Sequence, residues 1–281
     1  MWWSERRPGG RAKGLLFLLH PGPSLLVTAT FVALAGLALG RLPSAWLALR
    51  LVLLMLPIQF AIGIANDVAD VEADAAVKPY KPLPRGLVDR RLAAAVAAVL
   101  ALAGLGFAAT INVPTLGLAA GGLAAGLLYD VGLRATRWSL LPWWGGVSLL
   151  PLAAYASVDR LGAKLLVLLP LSLLVALALH CANSLPDVDS DRVAGRRSLP
   201  VLLGRNGSRV SAVSGLAVAG CLAVALYVPL GQRGVWVPVA AALLAGCLVA
   251  VVAAAVERPF PLLAVGTAVF SVAWLASLPA G

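Results

Sequence analysis

The chain has 281 residues, of which 61% are hydrophobic and only 12% charged, and its formal net charge is +10. Its mean hydropathy of +0.94 excludes a soluble globular domain or a disordered chain and places it in the membrane class. Nucleic acid is excluded as a partner, because the basic residues are divided among short loops between apolar runs.

Crossing a bilayer takes about 20 apolar residues in a helix. Nine runs approach that length: 23–39, 45–65, 91–110, 114–129, 139–157, 164–185, 210–230, 235–256 and 259–278. The first follows Arg6, Arg7, Arg11 and Lys13 and mimics a secretory signal, but it reads as an uncleaved span. The expected fold is therefore all-α, a polytopic membrane bundle of nine transmembrane helices forming one domain over 1–281. In the fourth run, Gly117 with Gly121 and Gly122 with Gly126 form small-xxx-small pairs suited to close helix packing.

With the amino terminus inside, the inner segments hold 17 of the 22 basic residues. The outer side keeps Arg41, Arg50, Arg160, Lys164 and Arg233. That asymmetry fixes the orientation by the positive-inside rule. Arg outnumbers Lys 18 to 4, a composition expected of a GC-rich bacterial genome, so a bacterial plasma membrane is the expected location. Cys181, Cys221 and Cys247 all fall inside apolar runs and form no CxxC pair, which argues against a zinc site or a disulfide framework.

Seven of the twelve acidic residues sit in two clusters, 66–74 and 187–191. Each carboxylate in hydrocarbon costs about 2.5–3.5 kcal/mol even on lenient insertion scales, so such density marks a site. Four spans separate the end of the second run from the end of the sixth, so both clusters face the same, inner side. Asp67 and Asp187 are 120 residues apart, as a duplicated four-span unit would place them.

No Gly or Pro lies between Ile64 and Lys78, so the second span continues as a helix through the first cluster. Asn66, Asp70 and Asp74 then recur at i, i+4 and i+8 on one face. Asp187 and Asp191 repeat the i, i+4 spacing after Pro186, a residue tolerated at the first helical position. Oxygen-only ligands at this spacing suit Mg²⁺, which shares its remaining positions with water and substrate phosphates. Lys78, Lys81, Arg85, Arg192, Arg196 and Arg197 flank the clusters, and the loop between spans four and five adds Tyr129, Arg134 and Arg137. The combination reads as a Mg²⁺ clamp on a diphosphate, with Lys81, Arg134 and Arg137 as the diphosphate donors and an apolar bundle to house a hydrocarbon tail. A cation-coupled carrier using the same carboxylates is the alternative; it would need no diphosphate donors. His20 and His180 read as structural histidines.

The stretch Asn66–Asp74 has the form NDxxDxxxD, and Asp187–Gly195 the form DxxxDxxxG, followed by Ser198-Leu199-Pro200-Val201 and Leu203-Gly204. Nine spans with this pair of motifs resemble the UbiA superfamily of intramembrane prenyltransferases over almost the whole chain. Tyr129 matches a tyrosine usual there. The resemblance implies Mg²⁺-dependent ionisation of a prenyl diphosphate and capture of the carbocation by a small lipophilic acceptor, aromatic or quinone-like, at a site facing the cytoplasm. By motif match, Asn66, Asp70 and Asp74 hold one Mg²⁺ and Asp187 and Asp191 another. Asp67 matches as well, as a ligand or as a residue orienting its neighbours. Catalysis is thereby assigned to Asp70, Asp74, Asp187, Asp191 and Tyr129. Some members of the superfamily are terpene cyclases, in which the substrate's own double bond quenches the cation. The stretch Lys78-Pro79-Tyr80-Lys81-Pro82-Leu83-Pro84-Arg85-Gly86 looks like a Pro-rich tail shared by homogentisate prenyltransferases, chlorophyll synthases and archaeal ether-lipid enzymes, with Arg85 in place of a small residue.

Overall fold

The computed structural model describes residues 11–227, 236–254 and 256–277. Arg6, Arg7, Arg233 and the expected span limits at Leu230, Val235 and Leu278 lie outside the described residues. Among those described, every regular element is helical. In chain order they are α1 (Arg11–Leu18), α2 (Pro21–Leu39), α3 (Ala45–Val77), α4 (Arg90–Ala109), α5 (Val113–Val131), α6 (Leu140–Ala156), α7 (Leu168–Ser184), α8 (Val188–Val193), α9 (Leu199–Ala225), α10 (Trp236–Ala253) and α11 (Phe260–Ala276). Short 3-10 turns occupy Leu133–Ala135, Ala163–Val167 and Leu185–Asp187.

Local chemistry sets the helix ends. Asn112 caps α5 by accepting from the Thr115 amide at 2.8 Å, and Asp89 caps α4 by accepting from the Arg91 amide at 2.9 Å. Helix α2 stops at Gly40, whose φ of 66° is the left-handed geometry of a helix C-terminus. Within the described residues, each expected run overlaps a helix. Among the described residues, six helical stretches are long and apolar enough to cross a membrane, and Leu140–Ala156, Val237–Ala253 and Phe260–Ala276 are shorter apolar helices. The seventh run begins earlier than expected. Helix α9 starts at Leu199, and it breaks at Gly204, where φ 72° and ψ 174° are not helical.

Lipid tails are as apolar as leucine, so burial alone does not drive helices together in a membrane; close packing does. Gly104 of α4 lies against α3 so tightly that a Cβ there would sit 2.7 Å from the Leu54 carbonyl oxygen. Gly215 of α9 repeats this against α7, where a Cβ would meet the Leu174 carbonyl oxygen at 3.1 Å. The helix that carries the first acidic cluster and the helix that precedes the second are thus each packed closely by a glycine of a later helix. The expected glycine pairs of α5 do not act as pairs. Gly121 faces Leu149 and Gly126 faces Ile62, whereas Gly117 and Gly122 have open space where a Cβ would stand. The rotation of α5 turns its glycines toward different neighbours.

The main core, with Phe31, Leu51, Leu54, Ile58, Leu216 and Leu263 all buried, joins the helices. A second, smaller core sits at the acidic end: Leu18, Ile64, Leu83, Val88 and Ala93. It pins the loop that follows α3, and Gly86 turns that loop in a left-handed conformation at φ 67°. The loop is thereby folded back over the end of α3.

Candidate active site

Helix α3 runs on through the first cluster, as expected, and its rotation divides the carboxylates into two sets. At about 100° per residue, Asp67 and Asp74 come within about 20° of each other. Both are buried, and both accept from the Lys81 ammonium, at 2.8 and 2.6 Å. The folded-back loop is what brings Lys81 there. His20, which precedes α2, closes the other side of Asp67 with Nε2 at 3.1 Å. Burial works against the charged form of Lys81, but its hydrogen bonds to Asp67 and Asp74 and their charges outweigh that and hold its pKa above the ordinary lysine value. Asp67 therefore sits in a closed knot with His20 and Lys81.

The other set faces α5. The Asn66 side-chain amide donates to Asp130 Oδ1 at 2.9 Å. Asp70 receives both terminal nitrogens of Arg134, which the turn after α5 holds in place. Burial opposes the guanidinium, yet the hydrogen bond and charge of Asp70, with the charges of Asp130 and Tyr129, raise the Arg134 pKa. The single face expected for Asn66, Asp70 and Asp74 is thus shared out: two of its members look toward α5, and Asp74 looks toward Lys81.

The second cluster follows α7. Asp191 pairs with Arg196 at 2.9 Å and lies within electrostatic reach of Asp187, Arg134 and Asp70, so the two clusters confront each other. Asp187 is exposed. Asp189 points outward to Arg205 at 3.7 Å. The loop after α8 is tied to the Arg134 turn by the Arg197 amide, which donates to the Ala135 carbonyl at 2.8 Å. Arg137, expected among the diphosphate donors, is exposed and lies over the Trp138 ring at 5.0 Å. Its side chain packs on that aromatic face, outside the carboxylate groups.

Below the clusters lies a cavity of about 910 Å³. Tyr129, Asp130 and Asn183 line it at the end near the clusters, and Leu34, Leu150 and Trp274 line its apolar remainder. Trp143 makes edge contact with Tyr129 at 6.1 Å and with Phe260 at 6.1 Å, and it stacks on His180 at 5.4 Å. His180 is fixed by Ser139 at 2.9 Å, and Ser139 Oγ also accepts from the Leu199 amide at 3.0 Å. His180 is thus held through Nε2, while its Nδ1 is buried without a hydrogen-bond partner, and His20 holds a motif carboxylate.

The donor chemistry fits a hard divalent cation. Asn66, Asp70, Asp74, Asp187 and Asp191 offer oxygen only, and the basic partners of Asp70, Asp74 and Asp191 sit where a cation's charge would serve. Among the described residues no three His, Cys, Asp or Glu side chains converge as a ready metal shell. Taking up a cation at Asp70 requires it to release Arg134, which holds both its oxygens, whereas Asp191 bonds Arg196 through Oδ1 alone. Asp130, Trp143 and the His20–Asp67 bond were not singled out from sequence. The signal for Asp130 was available, as a lone carboxylate beside Tyr129 in an otherwise apolar helix.

A helical bundle with membrane-length elements, two confronting acidic motifs and an apolar cavity beneath them is built to hold an amphiphile by its anionic head. The chain belongs to the UbiA prenyltransferase family, whose family model matches residues 25–259. It is 34% identical over 251 residues to the digeranylgeranylglyceryl phosphate synthase of Halobacterium salinarum, covering 86% of this chain and 87% of that one. It is 30% identical over 182 residues to the chloroplastic chlorophyll synthase of Arabidopsis thaliana, covering 56% of this chain and 45% of the relative. Among solved structures, a UbiA homologue from Aeropyrum pernix K1 matches with a TM-score of 0.68 at 26% identity, covering 88% of this chain and 96% of that chain. A UbiA homologue from Archaeoglobus fulgidus bound to GPP and Mg²⁺ shares the fold, with a TM-score of 0.68 at 18% identity, covering 92% of this chain and 99% of that one.

Proposed function

We propose that this single membrane-embedded domain transfers a prenyl group from a prenyl diphosphate to a lipophilic acceptor in a Mg²⁺-dependent reaction, at the cytoplasmic face of a bacterial plasma membrane. The observation that carries this reading is continuity: the apolar cavity reaches Asp130, Asp130 bonds Asn66, and Asn66 opens the first acidic motif. A prenyl tail fits the apolar part, and its diphosphate then lies between the clusters.

Asn66, Asp70, Asp74, Asp187 and Asp191 would hold the metal, with Asp67 kept in line by His20 and Lys81. Bound Mg²⁺ supplies charge neutralisation that makes the diphosphate a better leaving group. Arg134 and Lys81 are the basic residues nearest the carboxylates and would take the diphosphate's outer oxygens. The bond between C1 of the prenyl group and the diphosphate oxygen breaks with its electron pair leaving on oxygen. A new bond forms between C1 and the acceptor, which loses a proton. Tyr129, with Trp143 in edge contact with it, presents an aromatic surface to the electron-deficient carbon. The apolar walls keep water away from it.

For the acceptor, an aromatic or quinone-like ring is supported by the ring-lined end of the cavity, where Tyr129, Trp143 and Phe260 offer stacking surfaces. A prenylated glyceryl phosphate is the second reading, favoured by the 34% identity to the Halobacterium salinarum synthase. The test incubates purified protein with Mg²⁺ and geranyl, farnesyl or geranylgeranyl diphosphate, alone and with 4-hydroxybenzoate or geranylgeranylglyceryl phosphate. Diphosphate release that needs one acceptor assigns that acceptor class. Equal release without acceptor contradicts the transferase in favour of a cyclase.

A further inference from the structure

We propose that Asp130 anchors the acceptor substrate, its Oδ2 accepting a hydrogen bond from the acceptor's own O–H or N–H group. The inference rests on the prenyl-transfer reading and narrows its substrate class to acceptors that carry a free hydroxyl or amine where they meet the prenyl group.

Asp130 is 4% exposed, and it lines the cavity. Its Oδ1 is used by the Asn66 amide at 2.9 Å, while its Oδ2 is buried and has no partner in the protein. Leaving a buried carboxylate oxygen unpaired is costly, because it has given up its water without gaining a partner. A site keeps such a group where a ligand completes it. The carboxylate already accepts from Asn66 through Oδ1, and the partner that completes an accepting Oδ2 is a donor. A prenyl tail has no donor and a diphosphate is itself anionic, so of the two substrates only the acceptor can supply one. Tyr129, next in sequence, lines the same cavity, so a group held at Oδ2 lies beside the aromatic surface at which C1 would be exposed.

The geometry also says what Asp130→Asn would do. Asn66 donates to position 130, so the new amide would present its carbonyl oxygen to Asn66 and its NH₂ to the cavity. The cavity would then offer a donor where it had offered an acceptor. A hydroxyl would lose its partner, and an ether oxygen would gain one.

The test measures binding by thermal shift in purified full-length protein with Mg²⁺ and geranylgeranyl thiodiphosphate, which resists turnover. The added probes are 4-hydroxybenzoate, hydroquinone and geranylgeranylglyceryl phosphate, each beside its O-methyl ether. The expected result is that the wild type binds at least one free-hydroxyl probe tenfold or more tightly than its ether. Asp130→Asn should lose that preference while its thiodiphosphate affinity stays within about threefold. The wild-type comparison needs no variant, so misfolding of Asp130→Asn leaves the proposal open to refutation. It is overturned if no probe shows the hydroxyl preference in the wild type, or if folded Asp130→Asn keeps it. Loss of thiodiphosphate binding in folded Asp130→Asn would put Asp130 in the donor site and overturn it too. Absence of thiodiphosphate binding in the wild type would defeat the prenyl-transfer reading itself.

Discussion

Removing the ammonium of Lys81 would leave Asp67 and Asp74 without the cation they share, while their side chains are only 4% and 6% exposed. Breaking a buried pair costs about 3–5 kcal/mol; because the Lys81 side chain keeps 20% exposure, Lys81→Met should cost about 2–3 kcal/mol. The pH dependence follows from the direction of the shift. A lysine whose folded pKa is raised contributes stability that is complete below its ordinary value of 10.5 and is lost as pH rises through the higher folded value. The gap in melting temperature between wild type and Lys81→Met should therefore be constant near neutrality and close only above that range. A gap that closed between pH 6 and 9 would contradict this assignment. Asp70→Ala and Asp191→Ala belong to the same scale but a different readout. Each should fold and lose on the order of 10³-fold in turnover, because a ligand of the diphosphate clamp is worth several kcal/mol in the transition state. Wild-type-like rates in either variant would remove that residue from the site. The motif carboxylates were readable because charge is rare in this chain. The pairing of Asn66 with Asp130 was not, since 64 residues separate them and only the packing of α3 on α5 brings them together.

The α3–α4 pair positions the first motif, and its contact depends on one missing side chain. A Cβ at Gly104 would meet a backbone carbonyl at 2.7 Å, which cannot swing aside, so the helices would have to separate. Gly104→Ala should cost about 1–3 kcal/mol, as overpacking does. Gly106, two residues on, has open space where its Cβ would be, so Gly106→Ala should be neutral or slightly stabilising through helix propensity. Thermal melts in detergent distinguish the two, and equal effects would contradict the packing described. Sequence alone marked glycines in α5 instead, because spacing reveals that residues are small without revealing which neighbour they face. The continuation of α3 through its acidic cluster was legible, since nothing between Ile64 and Lys78 breaks a helix. The start of α9 was not. Arg205, Asn206, Gly207, Ser208 and Arg209 read as loop by hydropathy, yet they are helical, with Ser208 buried and its hydroxyl donating to the Pro200 carbonyl at 2.9 Å.

At the scale of the molecule, the helix order brings two distant acidic motifs to one end of a bundle and leaves a cavity below them. The nine apolar runs and the shared side of the motifs were legible from hydropathy and the parity of crossings. An apolar chamber for a tail was expected too, but which residues wall it was not legible, because they are the same Leu, Ala and Gly types that elsewhere fill the core. The division of basic residues predicts that both motifs face the cytoplasm. Single cysteines placed near Asp74 and Asp191, after removal of Cys181, Cys221 and Cys247, should resist a membrane-impermeant thiol reagent in intact cells, and labelling of either from outside would contradict that orientation. The central claim is that the confronting motifs bind a prenyl diphosphate together with Mg²⁺, and thermal shift with geranylgeranyl thiodiphosphate measures this most directly. At about 100 times its dissociation constant the ligand should stabilise the wild type by about 2.7 kcal/mol. The shift should require Mg²⁺ and should shrink in Lys81→Met. A carrier that moves cations would show stabilisation by the cation alone, and no shift with any prenyl thiodiphosphate in folded protein would contradict the account.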